Sequence, residues 1–240
     1  MFAFLKNLFA FLNNSMDCSI EDKKEKIQSI INVFETGSIK GDYANVSIFA
    51  DGPSNRRQIT YGRSQTTEWG NLRDLIKDYV NAKGQYYEFF IPYIKKIGST
   101  SLVNDSTFIS YLKKAGKDPI MLKTQDAFFD KHYWEPALKF LKDNELVLPL
   151  SALVVYDSYI HSGGILSFLR KRFAATPPAK GGNEKEWIRQ YLKTRHSWLA
   201  THSRRILRKT IYRTRDMQRA IDNNDWNLEK PFVANSVKVD

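Results

Sequence analysis

Glu35 stands on the last turn of a stretch with helical periodicity, and about 16 residues later Asp51 precedes Gly52 and Pro53 in a turn between two β-branched segments. Two carboxylates so placed, one at a helix end and one in a hairpin, can hydrolyse a glycosidic bond: one protonates the leaving oxygen and the other activates water. The same residue types are also ordinary at a helix end and in a turn, so the pair alone leaves a purely structural reading open. Other chemistries find fewer residues. His132, His161, His196 and His202 have no HExxH or other metal-ligand spacing, and Cys18 is the only cysteine, which excludes an intramolecular disulfide and a cysteine-rich zinc site. Nucleophilic-serine, nucleotide-triphosphate and dinucleotide motifs are absent from the sequence, so neither metal nor organic cofactor is expected.

The elements that must hold the pair follow from periodicity. Ile27, Ile30, Ile31 and Phe34 recur at three and four residues from Asp22 to Glu35, which predicts a helix ending at Thr36-Gly37. Tyr43 to Gly62 reads as short strands around a turn at Asp51-Gly52-Pro53. Helices are predicted over about 65–82, 84–96, 105–115, 122–143, 149–161, 163–173, 184–201 and 203–223, with residues 176–182 as the clearest loop. Phe2, Leu5, Phe9 and Leu12 predict an N-terminal amphipathic helix over residues 1–20, ahead of a catalytic domain over 21–240. That segment lacks the basic region and small-residue cleavage site of a signal peptide, so the delivery route stays open while action is expected outside the cell or in the periplasm. No apolar run reaches the roughly 20 residues of a transmembrane helix. The expected fold is α+β and mainly helical, with two lobes, a small hairpin and a cleft between the lobes.

The formal net charge is +11, and residues 185–219 carry eleven Lys/Arg against two Asp/Glu. A field so concentrated implies an anionic partner such as nucleic acid, acidic lipid or acidic polysaccharide. Arg204, Arg205, Arg208 and Lys209 could serve nucleic acid, but no groove-reading motif accompanies them, so no specific nucleic-acid partner is expected.

Further motifs extend the first pair along the chain. Glu35, Tyr43, Asp51-Gly52 and Thr60-Tyr61-Gly62-Arg63 are followed by Trp134-Glu135-Pro136-Ala137-Leu138 and by Val155-Tyr156-Asp157 with Ile160-His161. Then come Pro177-Pro178, Gly181-Gly182-Asn183-Glu184-Lys185, Thr194-Arg195, Tyr212-Arg213 and Gln218-Arg219. In this order, over about residues 24–235, the set resembles glycoside hydrolase family 46, the chitosanases of the lysozyme superfamily. The resemblance implies Glu35 as general acid, Asp51 as general base, and Thr60 as the hydroxyl that holds the attacking water. The segment between Asp51 and Thr60 is longer than the family's, which keeps Asp42 as the alternative base and Arg57, or its neighbour Arg56, as the hairpin arginine. Asp157, Arg195 and Arg213 match a charged network behind the acid. Tyr43, Arg57, Asn71 and His202 match substrate-binding positions, and at Asn71 and His202 chitosanases carry acidic residues that meet glucosamine ammonium groups. With those acids missing and the charge strongly positive, the expected substrate is peptidoglycan, with chitosan as the alternative and a silent glycan- or nucleic-acid-binding protein as a remoter one. An inhibitor or immunity protein is a further candidate partner of such a lytic enzyme.

Overall fold

The computed structural model describes residues 19–240 except Ser64; the expected helix over residues 1–20 lies outside them apart from Ser19 and Ile20, which are helical. Helix α1 (Lys24–Thr36) buries Ile27, Ile30, Ile31 and Phe34. It ends where Gly37 takes φ +73°, a left-handed cap whose N–H donates to the Val33 carbonyl at 2.9 Å. Glu35 is thereby fixed on a terminal turn.

The chain divides into two compact units, one of residues 40–132 and one of residues up to Ile39 together with 133–240. The first contains an antiparallel sheet in the order β1 (Val46–Phe49), β2 (Gln58–Tyr61), β3 (Thr66–Thr67), with Ser47 opposite Thr60 and Thr60 opposite Thr67. Gly62 ends β2 at φ +75°, where a Cβ would fall 2.3 Å from the Gln125 side-chain oxygen. Helices α2 (Leu72–Asn81), α3 (Tyr87–Phe90), α4 (Ser106–Ala115) and α5 (Pro119–Phe129) complete this unit. Ile59, Tyr61, Leu75, Tyr79, Phe108 and Met121 belong to its core. Glu68, fully buried, accepts from the Ile59 amide at 3.1 Å and the Leu102 amide at 2.5 Å, so it acts as a backbone tie.

The second unit is built on α1, α6 (Glu135–Asp143), α7 (Pro149–Ser162), α8 (Ser167–Arg170), α9 (Glu184–Ala200), α10 (Arg205–Arg208) and α11 (Ile211–Asp222). It is completed by a hairpin of β4 (Phe232–Ala234) and β5 (Val237–Val239). Residues 149–158 of α7 are all buried, so this helix has no solvent face over its first ten residues. Both α1 and α11 pack on the hairpin, which turns through Asn235 and Ser236 at φ 43° and 72°.

The fold class is as expected, mainly helical with a small antiparallel sheet, while several boundaries differ. The expected helix 65–82 begins only at Leu72 because Thr66 and Thr67 pair with β2. The stretch 84–96 contains only α3 and a 3₁₀ turn over Ile91–Tyr93, with Pro92 inside it. The stretch 163–173 keeps only α8, since Gly163 and Gly164 take φ of 74° and 137°. The run 122–143 is interrupted by a π turn at Asp130–Trp134. Pro136 explains it, because proline has no N–H for the carbonyl four residues back and its ring crowds that carbonyl.

Candidate active site

Four of the expected residues meet inside the second unit. Arg213, on α11, donates from Nη1 to Asp157 Oδ1 at 2.7 Å, and from Nη2 to Glu35 Oε1 and to the Phe34 carbonyl at 3.2 Å. Arg195, on α9, donates from Nη1 to Asp157 Oδ2 at 2.6 Å. The Asp157 and Arg195 side chains are fully buried, whereas Glu35 keeps 14% of its side-chain surface exposed. The chain of charges thus runs from the core out to one reachable carboxylate. Tyr212 adds a hydroxyl bond to the Phe34 carbonyl at 2.9 Å, and the Arg213 guanidinium lies 5.3 Å over the Phe34 ring, so the turn bearing Glu35 is held from two residues of α11.

The electrostatics follow from this packing. Burial pushes the Asp157 carboxyl up, but Arg195 and Arg213 outweigh it and hold the group down at about 2. Burial likewise opposes the charge on Arg213, and Glu35 and Asp157 more than restore it, leaving its pKa raised. His161, one helical turn beyond Asp157, is lowered from 6.5 to about 3 by burial and then by the two arginines. A histidine that stays neutral when folded but protonates near 6.5 when unfolded makes the unfolded state bind more protons between about pH 6.5 and 3. Its contribution to stability is therefore complete above pH 6.5 and is lost as pH falls through that window. His161→Gln is expected to recover about 1 to 2 kcal/mol of the stability lost between pH 7 and pH 5. Thermal melts of both proteins across that range test this; parallel melting curves would refute it.

The remaining expected residues lie in the first unit, except His202. Asp51 is exposed just after β1, and its Oδ1 accepts from Gln58 Nε2 at 2.9 Å. Gln58 is buried at the start of β2 and reaches back across the loop, so it positions Asp51, a role that sequence reading missed. Asp42 is exposed, and its Oδ1 accepts from the Ala44 amide at 3.1 Å in a local turn. Thr60 is buried in β2, and its Oγ1 has no hydrogen-bond partner among the described residues. Arg56 packs on Trp69, 5.6 Å over its ring, while Arg57 is exposed. Tyr43 donates to Asp126 Oδ1 at 2.7 Å, and Arg63, only 3% exposed, pairs with the same oxygen; burial and that bond raise the phenol to about 12. Asp126 is thus a second positioning group that the sequence did not reveal. Asn71 precedes α2 without capping it through its side chain. His202 follows α9 by two residues, with Nδ1 accepting from the Arg204 amide at 3.0 Å and its ring edge-on to Trp198 at 5.2 Å. No group of three or more His, Cys, Asp or Glu able to hold a metal occurs among the described residues.

A partly buried glutamate at a helix end, braced by a bridging arginine within a mainly helical fold, is an arrangement that can serve a glycoside hydrolase. Residues 29–232 match the family model of glycosyl hydrolase family 46, and the chain belongs to that family. Over 234 residues it is 25% identical to a chitosanase of Bacillus subtilis (strain 168), covering 90% of this chain and 83% of that protein. The fold is similar to the crystal structure of native chitosanase from Bacillus subtilis MY002, with a TM-score of 0.78 and 23% identity, over 91% of this chain and 98% of that one. It is also similar to a family 46 chitosanase of Gynuella sunshinyii in complex with chitotetraose, with a TM-score of 0.76 and 19% identity, over 90% and 96% of the two chains. Among the described residues no helix is long and apolar enough to cross a membrane.

Proposed function

We propose that the protein hydrolyses β-1,4-linked amino-sugar polysaccharide of the chitosan type, outside the cytoplasm where such polymers are met. Glu35 acts as general acid, Asp51 as general base, and the Thr60 hydroxyl holds the attacking water. The observation that carries this reading is the ion-paired chain Glu35–Arg213–Asp157–Arg195 in a member of a family whose relatives above are chitosanases. Arg213 touches Asp157 with one nitrogen and Glu35 with the other, so it fixes the direction of the acid while sharing its charge with a second carboxylate. Asp51 is favoured over Asp42 as base because Gln58 orients it through a side-chain amide, whereas Asp42 closes a backbone turn. Asp51→Asn is accordingly expected to lose about 10²-fold or more in kcat and Asp42→Asn less than about threefold. Steady-state kinetics in which these two losses are reversed would move the base to Asp42.

The basic charge that pointed to peptidoglycan is less of an obstacle to a polycationic substrate than the sequence suggested. On α9 and α11, Lys193 and Arg215 are each two residues from a network arginine, hence about 200° around the helix from it. Peptidoglycan keeps one specific argument, the neutral side chain of Asn71 and the imidazole of His202 where acidic groups would meet ammonium. Product analysis by mass spectrometry on chitosan and on purified sacculi, with Glu35→Gln as the inactive control, tests the assignment. Glucosamine oligomers from chitosan with inert sacculi support it, and lysis of sacculi with intact chitosan overturns it. Asn71→Asp combined with His202→Glu is expected to raise kcat/KM on highly deacetylated chitosan about tenfold, since bonds between charged partners are the stronger class. An unchanged value would remove both positions from the subsites.

A further inference from the structure

Helices α9 and α11 lie side by side, and a groove of about 730 Å³ runs between them on the faces turned away from the ion-paired network. Arg189 and Lys193 line one wall and Arg215 and Arg219 the other, all four exposed, with the Ser197 and Thr214 hydroxyls among the polar groups between them. Each pair is spaced by four residues, which places successive charges about 6 Å apart along each helix. His196 Nδ1 and Thr214 Oγ1 are 2.7 Å apart and stitch the two walls together. Lys185 continues the α9 row by one more turn, and it and Arg189 lie 5.3 and 5.1 Å over the buried ring of Trp226, which fixes the row in place.

Two features leave part of this charge available to a ligand. Lys193 and Arg215 form no ion pair among the described residues, and no carboxylate lines the groove. Of the carboxylates nearest in sequence, Glu186 accepts from Gln190 Nε2 at 2.6 Å, and Asp216, buried, takes the Asn235 amide at 2.7 Å and pairs with Arg219 Nη2 at 2.7 Å, so Arg219 is partly neutralised whereas Lys193 and Arg215 are not. We propose that this groove binds a linear phosphate-repeat polyanion, a chain of phosphates joined directly or through small polyols. Paired rows of cations suit a slim chain that carries a negative charge at short, regular intervals and accepts charge-assisted hydrogen bonds along its length. A nucleic-acid strand fits less well, because no exposed aromatic ring lines the groove for bases to stack on: Trp226 is 3% exposed and the His196 ring is tied to Thr214. The groove is separate from the ion-paired network that holds Glu35, so the enzyme would hold a polyanionic surface with one face of α9 and α11 while the other face braces Glu35.

Fluorescence anisotropy of the full chain with labelled inorganic polyphosphate and with poly(glycerol phosphate) tests the proposal and separates its two sources. Oligothymidylate and poly-glutamate of matched charge serve as rivals. Saturable binding of at least one phosphate polymer is expected, tighter than of either rival, with log K falling linearly in log salt. Lys193→Glu with Arg215→Glu should weaken it at least tenfold. Arg204→Glu with Arg205→Glu, the same charge change at exposed positions elsewhere in the basic segment, should weaken it less than threefold. Chitosan turnover should stay unchanged in both variants, so a failure of this site is distinguishable from a failure of the catalytic assignment. Should charge reversal perturb folding by circular dichroism, Lys193→Gln with Arg215→Gln replaces it, with a loss of at least threefold expected. Equal losses in the two double variants, tighter binding of a rival polymer, or no saturable binding of either phosphate polymer would overturn the proposal.

Discussion

Glu35→Gln is expected to lower chitosan turnover by about 10² to 10⁴-fold, because an amide has no acidic proton to give the leaving oxygen. The fold should survive the change. The amide is close in size and shape to the carboxyl group it replaces. The amide oxygen can still accept from Arg213 Nη2, whose other nitrogen keeps its bond to Asp157 at 2.7 Å. KM should change far less than kcat, since the loss falls on a proton transfer made in the transition state. Kinetics on defined glucosamine oligomers, paired with a melting curve, would check both halves. A variant that keeps more than about a tenth of wild-type kcat would remove Glu35 from the role of acid.

Arg213→Ala should damage stability and activity together. The arginine contacts Asp157, Glu35 and the Phe34 carbonyl at once, and its side chain is 4% exposed. Removing one partner of a buried ionic cluster leaves the others uncompensated, at a cost of about 3 to 5 kcal/mol. For a chain of this size that corresponds to a melting temperature lower by about 6 to 20 °C. Arg195→Ala should destabilise by a similar amount, since Asp157 Oδ2 loses its partner. It should spare more of the activity at a temperature where the variant is folded, because Arg195 is not seen to contact Glu35. Melting temperatures within about 2 °C of wild type in both variants would show that the cluster behaves like an exposed surface pair, worth under about 1 kcal/mol.

The parts of this architecture that were legible in the sequence are those written in local signals. The helix expected over 105–115 forms at Ser106–Ala115 because Asp105 caps it, accepting from the Phe108 amide at 2.8 Å, and α9 begins where Asn183 accepts from the Glu186 amide at 3.0 Å. The helix expected over 203–223 divides into α10 and α11, with Lys209 and Thr210 between them. The hairpin β4–β5 went unread because its strands have three residues each and its turn uses Asn235-Ser236 in place of an Asn-Gly pair. Among the site residues, Asp157, Arg195 and Arg213 have no local signature, being separated by 38 and 56 positions, and only the resemblance to a family singled them out. Gln58 and Asp126 escaped even that, since a polar residue in an apparent loop and one on a helix say nothing of the side chains they hold until the chain is folded.

The division of the chain into units sets an order of events during synthesis. Residues 40–132 are one uninterrupted stretch and can complete their contacts as soon as that stretch is free. The unit that carries Glu35 cannot, because its ion pair to Arg213 spans 178 positions and α1 also packs on the hairpin at residues 232–239. At about 5 to 20 residues per second, about 9 to 36 s separate the making of Glu35 from the making of its partner. Throughout that interval the apolar face of Ile27, Ile30, Ile31 and Phe34 waits for most of its native cover, so a helix made early is among the last elements to be placed, and this delay exposes the nascent protein to aggregation and creates a need for a chaperone.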